Sequence, residues 1–169
     1  TVLNFYANTF GLEYDDKGEI SASGNLNSDL FDQLNQLEFF SKSFPKSLGF
    51  EFVKETVLPI IESYTISTED KMQTFTEHIA FQIGQILKSK SGKLLVSGGG
   101  VYNDFLIGRM KAHLPTIEII IPDEKTIKFK EALIFALLGV LKLRNEINVL
   151  ASVTGAKQDH SSGEIYKKK

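Results

Sequence analysis

The chain has 169 residues, of which 42% are hydrophobic and 24% charged, and its formal net charge is −2. This composition is that of a globular domain, and the charge gives no reason to expect a nucleic acid or an anionic membrane surface as a partner. Cysteine is absent, which excludes disulfides and thiolate metal sites. No apolar run approaches the roughly 20 residues that span a bilayer, so we expect a cytoplasmic protein without membrane contact.

The chain opens inside a helical pattern, which covers residues 2–10 and is closed by Gly11. It begins without methionine and without a polar lead-in. We therefore expect a fragment of a longer protein, or a chain whose earlier residues are missing.

A polar turn is predicted over residues 14–18, with Gly18 where a left-handed conformation is needed. Asp15 and Asp16 lie in this turn, and we expect both carboxylates to be solvated. Residues 21–25, which are rich in serine and glycine, are expected to form a loop.

Three further helices are predicted before the middle of the chain, each marked by a capping residue or by proline. The first begins at Asn27 or Ser28, and the third runs from Ser67 or Thr68 to near Lys90. The second covers residues 50–57, and Pro59 is expected to stop or kink it. The third helix is long and amphipathic, with one buried apolar stripe. His78 lies next to that stripe and is interpreted as a satisfied edge histidine, because no residue stands at metal-ligand spacing from it.

The stretch from residue 93 to 114 carries the strongest signal. Leu94–Val96 is a short continuous apolar run, which predicts a strand buried on both faces. Gly98, Gly99 and Gly100 follow, and a helical pattern then begins. Glycines in this place let backbone N–H groups approach a ligand, and the helix N-terminus favours negative charge. The order of strand, glycine turn and helix therefore indicates a nucleotide site.

Two familiar phosphate loops are excluded by the residues of this turn. Walker A requires Gly-Lys-Ser/Thr, and this loop has no lysine. A dinucleotide fingerprint that started at Gly98 would need its third glycine at position 103, which is Asn103. The three glycines also suit a plain tight turn between strand and helix, and the spacing by itself does not decide between the two interpretations.

The rest of the pattern is that of a helix-rich α/β chain around a small sheet. Thr116–Ile121 predicts a second strand, parallel to the first through a right-handed crossover. Residues 128–143 predict a strongly apolar helix. Glu131 stands near its start, where an acidic residue suits the helix dipole.

Ser97–Gly100, together with Asn103, Leu106 and Arg109, resembles the adenosine motif of the superfamily of actin, sugar kinases and heat-shock-chaperone ATPases. The chain is more closely similar to the C-terminal half of the anhydro-N-acetylmuramic acid kinases. Four further blocks follow the order of that family: Pro45-Lys46-Ser47-Leu48-Gly49, Glu131-Ala132-Leu133 with Phe135-Ala136, Ser152-Val153-Thr154-Gly155-Ala156, and Gly163-Glu164-Ile165-Tyr166.

This resemblance implies an α/β fold, namely the C-terminal half of an actin-like, ribonuclease-H-like ATPase of the sugar-kinase kind. Residues 1–169 would then be a single C-terminal nucleotide-binding domain, or a fragment of a larger two-domain kinase whose N-terminal half is absent. In the family that half carries the first phosphate loop and the catalytic aspartate. We therefore assign no catalytic residue and no metal ligand to this chain, and we expect it to be inactive alone.

The implied activity is ATP-dependent phosphorylation of 1,6-anhydro-N-acetylmuramic acid, an amino sugar recovered from the bacterial cell wall, with Mg²⁺ as cofactor. The resemblance assigns ATP binding to Gly98, Gly99, Gly100 and Asn103, and substrate-side contacts to Lys46, Ser47 and Glu131. The resembled kinases pair through this half, which implies a homodimer.

One segment departs from the family. Between Pro122 and Glu131 the kinases show a glycine and an acidic residue, whereas here the glycine is gone and lysines have entered. This departure favours an alternative, an ATP-binding regulatory or chaperone-like module of the same superfamily without sugar kinase activity. A helical interaction domain with an incidental glycine turn is the third interpretation.

Overall fold

The structure is a computed structural model that describes residues 1–43 and 46–166. The chain divides into two compact units: Thr1–Ser41 with Leu48–Pro122, and Lys42–Ser47 with Asp123–Lys169. The described residues are rich in helix and contain one small parallel sheet. The predicted helix-rich α/β class is therefore confirmed.

Most elements belong to the first unit. Its helices are α1 (Val2–Ala7), α2 (Glu19–Ser23), α3 (Ser28–Asn35), α4 (Glu38–Ser41), α5 (Phe50–Phe52), α6 (Leu58–Glu62), α7 (Thr68–Leu87) and α8 (Asp104–His113). Short 3-10 helices cover Asn8–Phe10, Asp16–Gly18 and Gly99–Tyr102, and a π-helical turn covers Val53–Val57. The strands are β1 (Gly92–Leu95) and β2 (Ile117–Ile120), and the second unit contains α9 (Glu124–Leu143) and α10 (Ala151–Thr154).

The two strands pair in parallel, with Gly92 opposite Ile117 and Leu95 opposite Ile120, and α8 lies between them in the chain. The predicted parallel pair is confirmed. The predicted burial of the first strand on both faces is wrong, because Leu95 is 64% exposed. Side chains alternate along a strand, so Leu94 packs against the core beneath the sheet while its neighbour faces the other side.

Helix α7 is the central element of the first unit, since α1, α2, α3 and α8 all pack against it. It starts as predicted: the Ser67 hydroxyl accepts a hydrogen bond from the backbone N of Asp70 at 3.1 Å. Its burial is not confined to the predicted apolar stripe, because neighbours surround it on several sides. Polar residues are buried on it as well, among them Thr74, Thr76, Glu77 and His78.

Two apolar clusters hold the first unit together. The larger lies between α1, α3, the helical run from residue 50 to 62, and α7; its buried members are Val2, Tyr6, Ala7, Leu30, Leu34, Val53, Val57, Ile61 and Met72. The smaller joins α7 to α8 through Ala80, Ile107 and Met110, with Leu94, Val96 and Ile119 packed against it. The sheet is thus attached to the unit through α7 and α8.

Helix α7 and helix α8 are also joined by a buried charged cluster. The Glu77 side chain, which is 8% exposed, accepts hydrogen bonds from Arg109 Nε at 2.5 Å and Arg109 Nη2 at 3.0 Å, and His113 Nε2 lies 2.7 Å from it. Burial alone would raise the pKa of Glu77, but the hydrogen bonds and charge of Arg109 and His113 outweigh it and lower the pKa. The cluster therefore keeps a carboxylate charged between two helices.

Two local predictions in the first unit need correction. The predicted loop over residues 21–25 overlaps α2, because the Asp15 carboxylate accepts hydrogen bonds from the backbone N of Ile20 at 2.8 Å and Ser21 at 3.0 Å and so nucleates that helix. Of the two effects expected of Pro59, a stop or a kink, the stop does not occur, because helical residues continue on both sides of it. The π-helical turn Val53–Val57 lies directly before it, and a widened turn accommodates a ring that has no N–H to donate.

The second unit is built largely from α9. Asp123 caps this helix by accepting a hydrogen bond from the backbone N of Thr126 at 3.0 Å, so α9 begins at Glu124 and not at residue 128 as predicted. Glu131 consequently lies about two turns into the helix, not near its start, and it is exposed. In the following loop, Asn148 Oδ1 accepts a hydrogen bond from the backbone N of Ser162 at 2.8 Å.

Candidate functional site

A cavity of about 840 Å³ lies beside the glycine turn of the first unit. Four segments form its walls, namely the start of α1, the turn before α2, one face of α7 and the turn that leads into α8. The lining residues are Thr1–Asn4, Tyr14–Lys17, Phe75, Ile79, Gly99–Asp104 and Leu106. A volume of this size suits a ligand as large as a nucleotide.

The three glycines of the turn play different parts. Gly98 has a φ of 101°, a conformation that residues with a side chain rarely adopt, and it is not among the lining residues. Gly99 and Gly100 do line the cavity, and a Cβ added to either would meet no atom within 4 Å. Glycine is therefore required at position 98 for its backbone conformation, whereas Gly99 and Gly100 expose backbone without a side chain to the cavity. We call these two residues the glycine wall.

Asn103 joins the glycine turn to α8. Its Oδ1 accepts a hydrogen bond from the backbone N of Leu106 at 2.8 Å, so it caps the helix. The residue also lines the cavity. With the oxygen engaged in the cap, the amide nitrogen is the part of this side chain that is available to donate to a ligand.

The turn at residues 14–18 packs against the start of α8, directly after the glycine turn. A Cβ at Gly18, whose φ is 79°, would lie 2.2 Å from Asn103 Oδ1 and 2.7 Å from Phe105 Cβ. Asp15 anchors the other end of the turn. It is 6% exposed, and besides its two backbone partners it accepts a hydrogen bond from Ser21 Oγ at 2.6 Å. The expectation of a solvated Asp15 is therefore wrong, because α2 supplies donors in place of water, whereas Asp16 is exposed as predicted.

Several cavity residues escaped the sequence analysis. Phe75 and Ile79 lie one turn apart on α7 and give the cavity an apolar wall. Asp16, Lys17 and Asp104 bring exposed charges to its rim. The apolar pair was visible as part of the helical stripe, but periodicity alone assigns such a stripe to the core. No sequence signal links the turn before α2 to a glycine motif that follows some 80 residues later.

The proposed substrate-side residues all belong to the second unit. Lys46 is half-buried, and Ser47 and Glu131 are exposed. Pro45, the first residue of the same motif, lies outside the described residues. The assignment of these three side chains to a sugar stays a prediction.

Residues 1–43 and 46–166 contain no group of three or more His, Asp, Glu or Cys side chains arranged to hold a metal ion. Over the same residues, no helix combines the length and the apolar character needed to cross a membrane.

Comparison with known proteins identifies the family. The sequence profile of the anhydro-N-acetylmuramic acid kinases matches residues 4–168. The anhydro-N-acetylmuramic acid kinase of Crocosphaera subtropica is 36% identical over 165 residues, which cover 90% of this chain and 43% of the relative. Its namesakes in Sulfurovum sp. (strain NBC37-1) and Haemophilus influenzae are 35% and 31% identical over 158 and 176 residues, covering 90% and 94% of this chain.

The chain is much shorter than these relatives. It spans 43% to 46% of the length of these three curated relatives. The profile nevertheless matches nearly every residue that the chain contains, and the ordered blocks noted in the sequence lie within the match. The chain therefore belongs to the anhydro-N-acetylmuramic acid kinase family.

Proposed function

We propose that this chain is the nucleotide-binding C-terminal half of a two-domain cytoplasmic kinase that transfers phosphate from ATP to 1,6-anhydro-N-acetylmuramic acid. The observation that carries the proposal is a cavity of nucleotide size that Gly99 and Gly100 line without side chains. It occurs in a chain that belongs to this family. In this proposal the fold is that of the C-terminal half of an actin-like ATPase. The names of the relatives support the substrate, and its transfer to this chain is part of the proposal.

The residues of the cavity fit a nucleotide. Gly99 and Gly100 let ATP approach the backbone, since no Cβ projects from either. Phe75 and Ile79 offer an apolar surface that suits a purine ring. The amide nitrogen of Asn103 can donate a hydrogen bond at the edge of the bound molecule.

The proposal also covers the metal ion, the catalytic base, the sugar contacts and the oligomeric state. When bound, ATP supplies the phosphoryl group, and Mg²⁺ neutralises the charge that develops on it. We place the ligands of Mg²⁺ and the base for the sugar hydroxyl in the N-terminal half of the full-length kinase. Lys46, Ser47 and Glu131 are proposed to face the sugar, and the kinase is proposed to form a homodimer through this half.

The proposal is tested by ADP release from the full-length protein, measured with ATP and Mg²⁺ and with or without the anhydro sugar. We expect ADP release that depends on the sugar. Binding of ATP without sugar-dependent turnover would instead favour the regulatory or chaperone-like alternative, which rests on the altered segment 123–130. In the structure this segment is the capped beginning of α9, with an ion pair between Lys128 and Glu124.

The glycine wall can be tested directly by substitution. Gly100→Val is expected to weaken ATP binding by at least about tenfold, or roughly 1.4 kcal/mol, because Gly100 lines the cavity and a valine there would take up space beside the ligand. The melting temperature should stay unchanged, since a Cβ at this position meets no atom within 4 Å. Calorimetric titration of the full-length protein with ATP, beside a thermal melt, measures both quantities.

Gly108→Val is the matched control for this experiment. Gly108 lies on the following helix, a Cβ there also meets nothing within 4 Å, and the residue does not line the cavity. The control should bind ATP as the wild type does. Equal affinities for the wild type and a folded Gly100→Val would show that the glycines form a turn and nothing more.

A further inference from the structure

The nucleotide cavity contains a cation that the glycine motif itself lacks. The turn of three glycines has no lysine of its own, whereas the Walker A phosphate loop combines bare backbone with a lysine. Lys17, from the turn before α2, lines the same cavity. Of the described residues around the cavity, it is the only lysine or arginine. The fold thus brings to the glycine wall a positive charge from a distant part of the chain.

The backbone of Lys17 is held in place on both sides. Asp15, two residues earlier, is buried and accepts three hydrogen bonds from Ile20 and Ser21. Gly18, the next residue, lies so close to Asn103 that no side chain fits between them. The position of the lysine relative to the glycine turn is therefore set before any ligand binds, which favours affinity.

The conformation of Lys17 is itself unusual. Its φ is 53°, in the left-handed region that glycine and asparagine occupy more easily than lysine. A residue with a long side chain in this region carries strain, and such strain concentrates at functional sites. Over the described residues the ammonium has no carboxylate within ion-pair distance, so its charge is available to a ligand.

We infer that Lys17 binds the polyphosphate of the nucleotide, in the place of the lysine that the glycine turn lacks. This inference rests on the proposed function, because it requires the cavity to hold a nucleoside di- or triphosphate. A lysine ammonium is a compact charge that pairs with phosphate oxygens. The carboxylates that line the cavity, Asp15, Asp16 and Asp104, repel phosphate, and this leaves Lys17 as the charged side chain suited to attract it.

The test compares ligands that differ in their phosphates. ATP, ADP and adenosine are titrated by calorimetry into the full-length protein and into Lys17→Met, Lys17→Arg and Lys54→Met. Lys17→Met should weaken ATP and ADP by about tenfold and change adenosine by less than about twofold, while Lys17→Arg keeps most of the affinity. Lys54→Met, an exposed lysine away from the cavity, should bind all three ligands as the wild type does.

A fourth variant separates binding from folding. Lys17→Gly removes the charge and also relieves the left-handed strain, so its melting temperature should rise while its ATP affinity falls. A lysine that mattered only for structure would not give this opposite pair of changes. A loss of ATP affinity in Lys17→Met that shrinks at high salt would further support a charge contact.

The outcomes separate the inference from the proposed function. If Gly100→Val loses ATP while Lys17→Met does not, the nucleotide site stands and the role of Lys17 is refuted. If Lys17→Met weakens adenosine as much as ATP, the lysine acts through the shape of the cavity and not through phosphate, which also refutes it. A wild-type protein that binds none of the three ligands would overturn the proposed function together with the inference.

Discussion

Gly18→Ala is expected to lower the free energy of unfolding by about 3 kcal/mol, from left-handed strain and overpacking together. The first cost arises because the φ of Gly18 is 79°. The second arises because the new Cβ would lie 2.2 Å from Asn103 Oδ1 and 2.7 Å from Phe105 Cβ. Relief of that contact requires Asn103 to move, and Asn103 caps α8 at the edge of the cavity. We therefore expect ATP affinity to fall together with stability.

Gly11→Ala is a matched control for this experiment. Gly11 also has a left-handed backbone, with a φ of 76°, but a Cβ there meets nothing within 4 Å. Its substitution should cost only the backbone strain, about 1 kcal/mol, and should leave ATP affinity unchanged. Urea unfolding of the three proteins gives the free energies. Equal losses in the two variants would mean that the contact between Gly18 and Asn103 contributes nothing.

Acidification is expected to destabilise the protein through His78. Burial of its imidazole lowers the pKa from the ordinary 6.5 to about 4. In the folded protein its Nδ1 lies 2.7 Å from Asn35 Oδ1, and the rings of Phe40 and Phe75 lie against it with centroids 5.0 Å and 5.7 Å away. These surroundings offer hydrogen bonding to the neutral ring but little solvation for a charged one.

The sign of this pH effect follows from the pKa of His78, which is lower in the folded protein than in the unfolded chain. Between about pH 4 and 6.5 the unfolded chain takes up a proton on His78 that the folded chain does not. The stabilisation that depends on a neutral His78 is therefore fully present above pH 6.5 and is lost as the pH drops toward 4. The total loss is about 3 kcal/mol, because each unit of pKa difference corresponds to about 1.36 kcal/mol. Urea unfolding at about pH 7, 5.5 and 4.5 measures this loss.

His78→Gln supplies the control, because glutamine can still donate to Asn35 and does not titrate. Its free energy of unfolding should fall less steeply over this range than that of the wild type. Glu77, whose pKa is lowered, contributes stability that is present above about pH 4.5 and lost at lower pH, and it does so in both proteins. Parallel curves for the wild type and the variant would contradict the role of His78.

Much of the local structure was accessible from the sequence because short-range chemistry determines it. Helices were predicted to open at Asn27 or Ser28 and at Ser67 or Thr68. In the structure the side chains of Asn27 and Ser67 each accept a hydrogen bond from the backbone N three residues later. The order of strand, glycine turn, helix and strand was likewise predicted, and the two strands pair in parallel. Such features depend on neighbours in the chain or on a compact motif.

The features that escaped prediction are contacts between polar groups that are not adjacent in the sequence. Asp15 looks like a solvated turn residue, but its carboxylate accepts three hydrogen bonds from Ile20 and Ser21 of α2. Glu77 looks like a polar residue on the solvent side of α7, but Arg109 and His113 come from another helix to pair with it. Hydrophobic periodicity records only apolar burial, so it cannot reveal polar groups that are buried with partners.

The difference between Gly98, which is needed for its backbone conformation, and Gly99 and Gly100, which line the cavity, has an evolutionary consequence. A descendant that had lost the proposed nucleotide site would still need glycine at position 98, where φ is 101°. Nothing within 4 Å would select against side chains at Gly99 and Gly100 once the cavity no longer had to admit a ligand. Genetic drift would therefore erode these two glycines first and spare Gly98. Among homologues, we expect a sequence that keeps Gly98 alone to have retained the fold without the proposed nucleotide site.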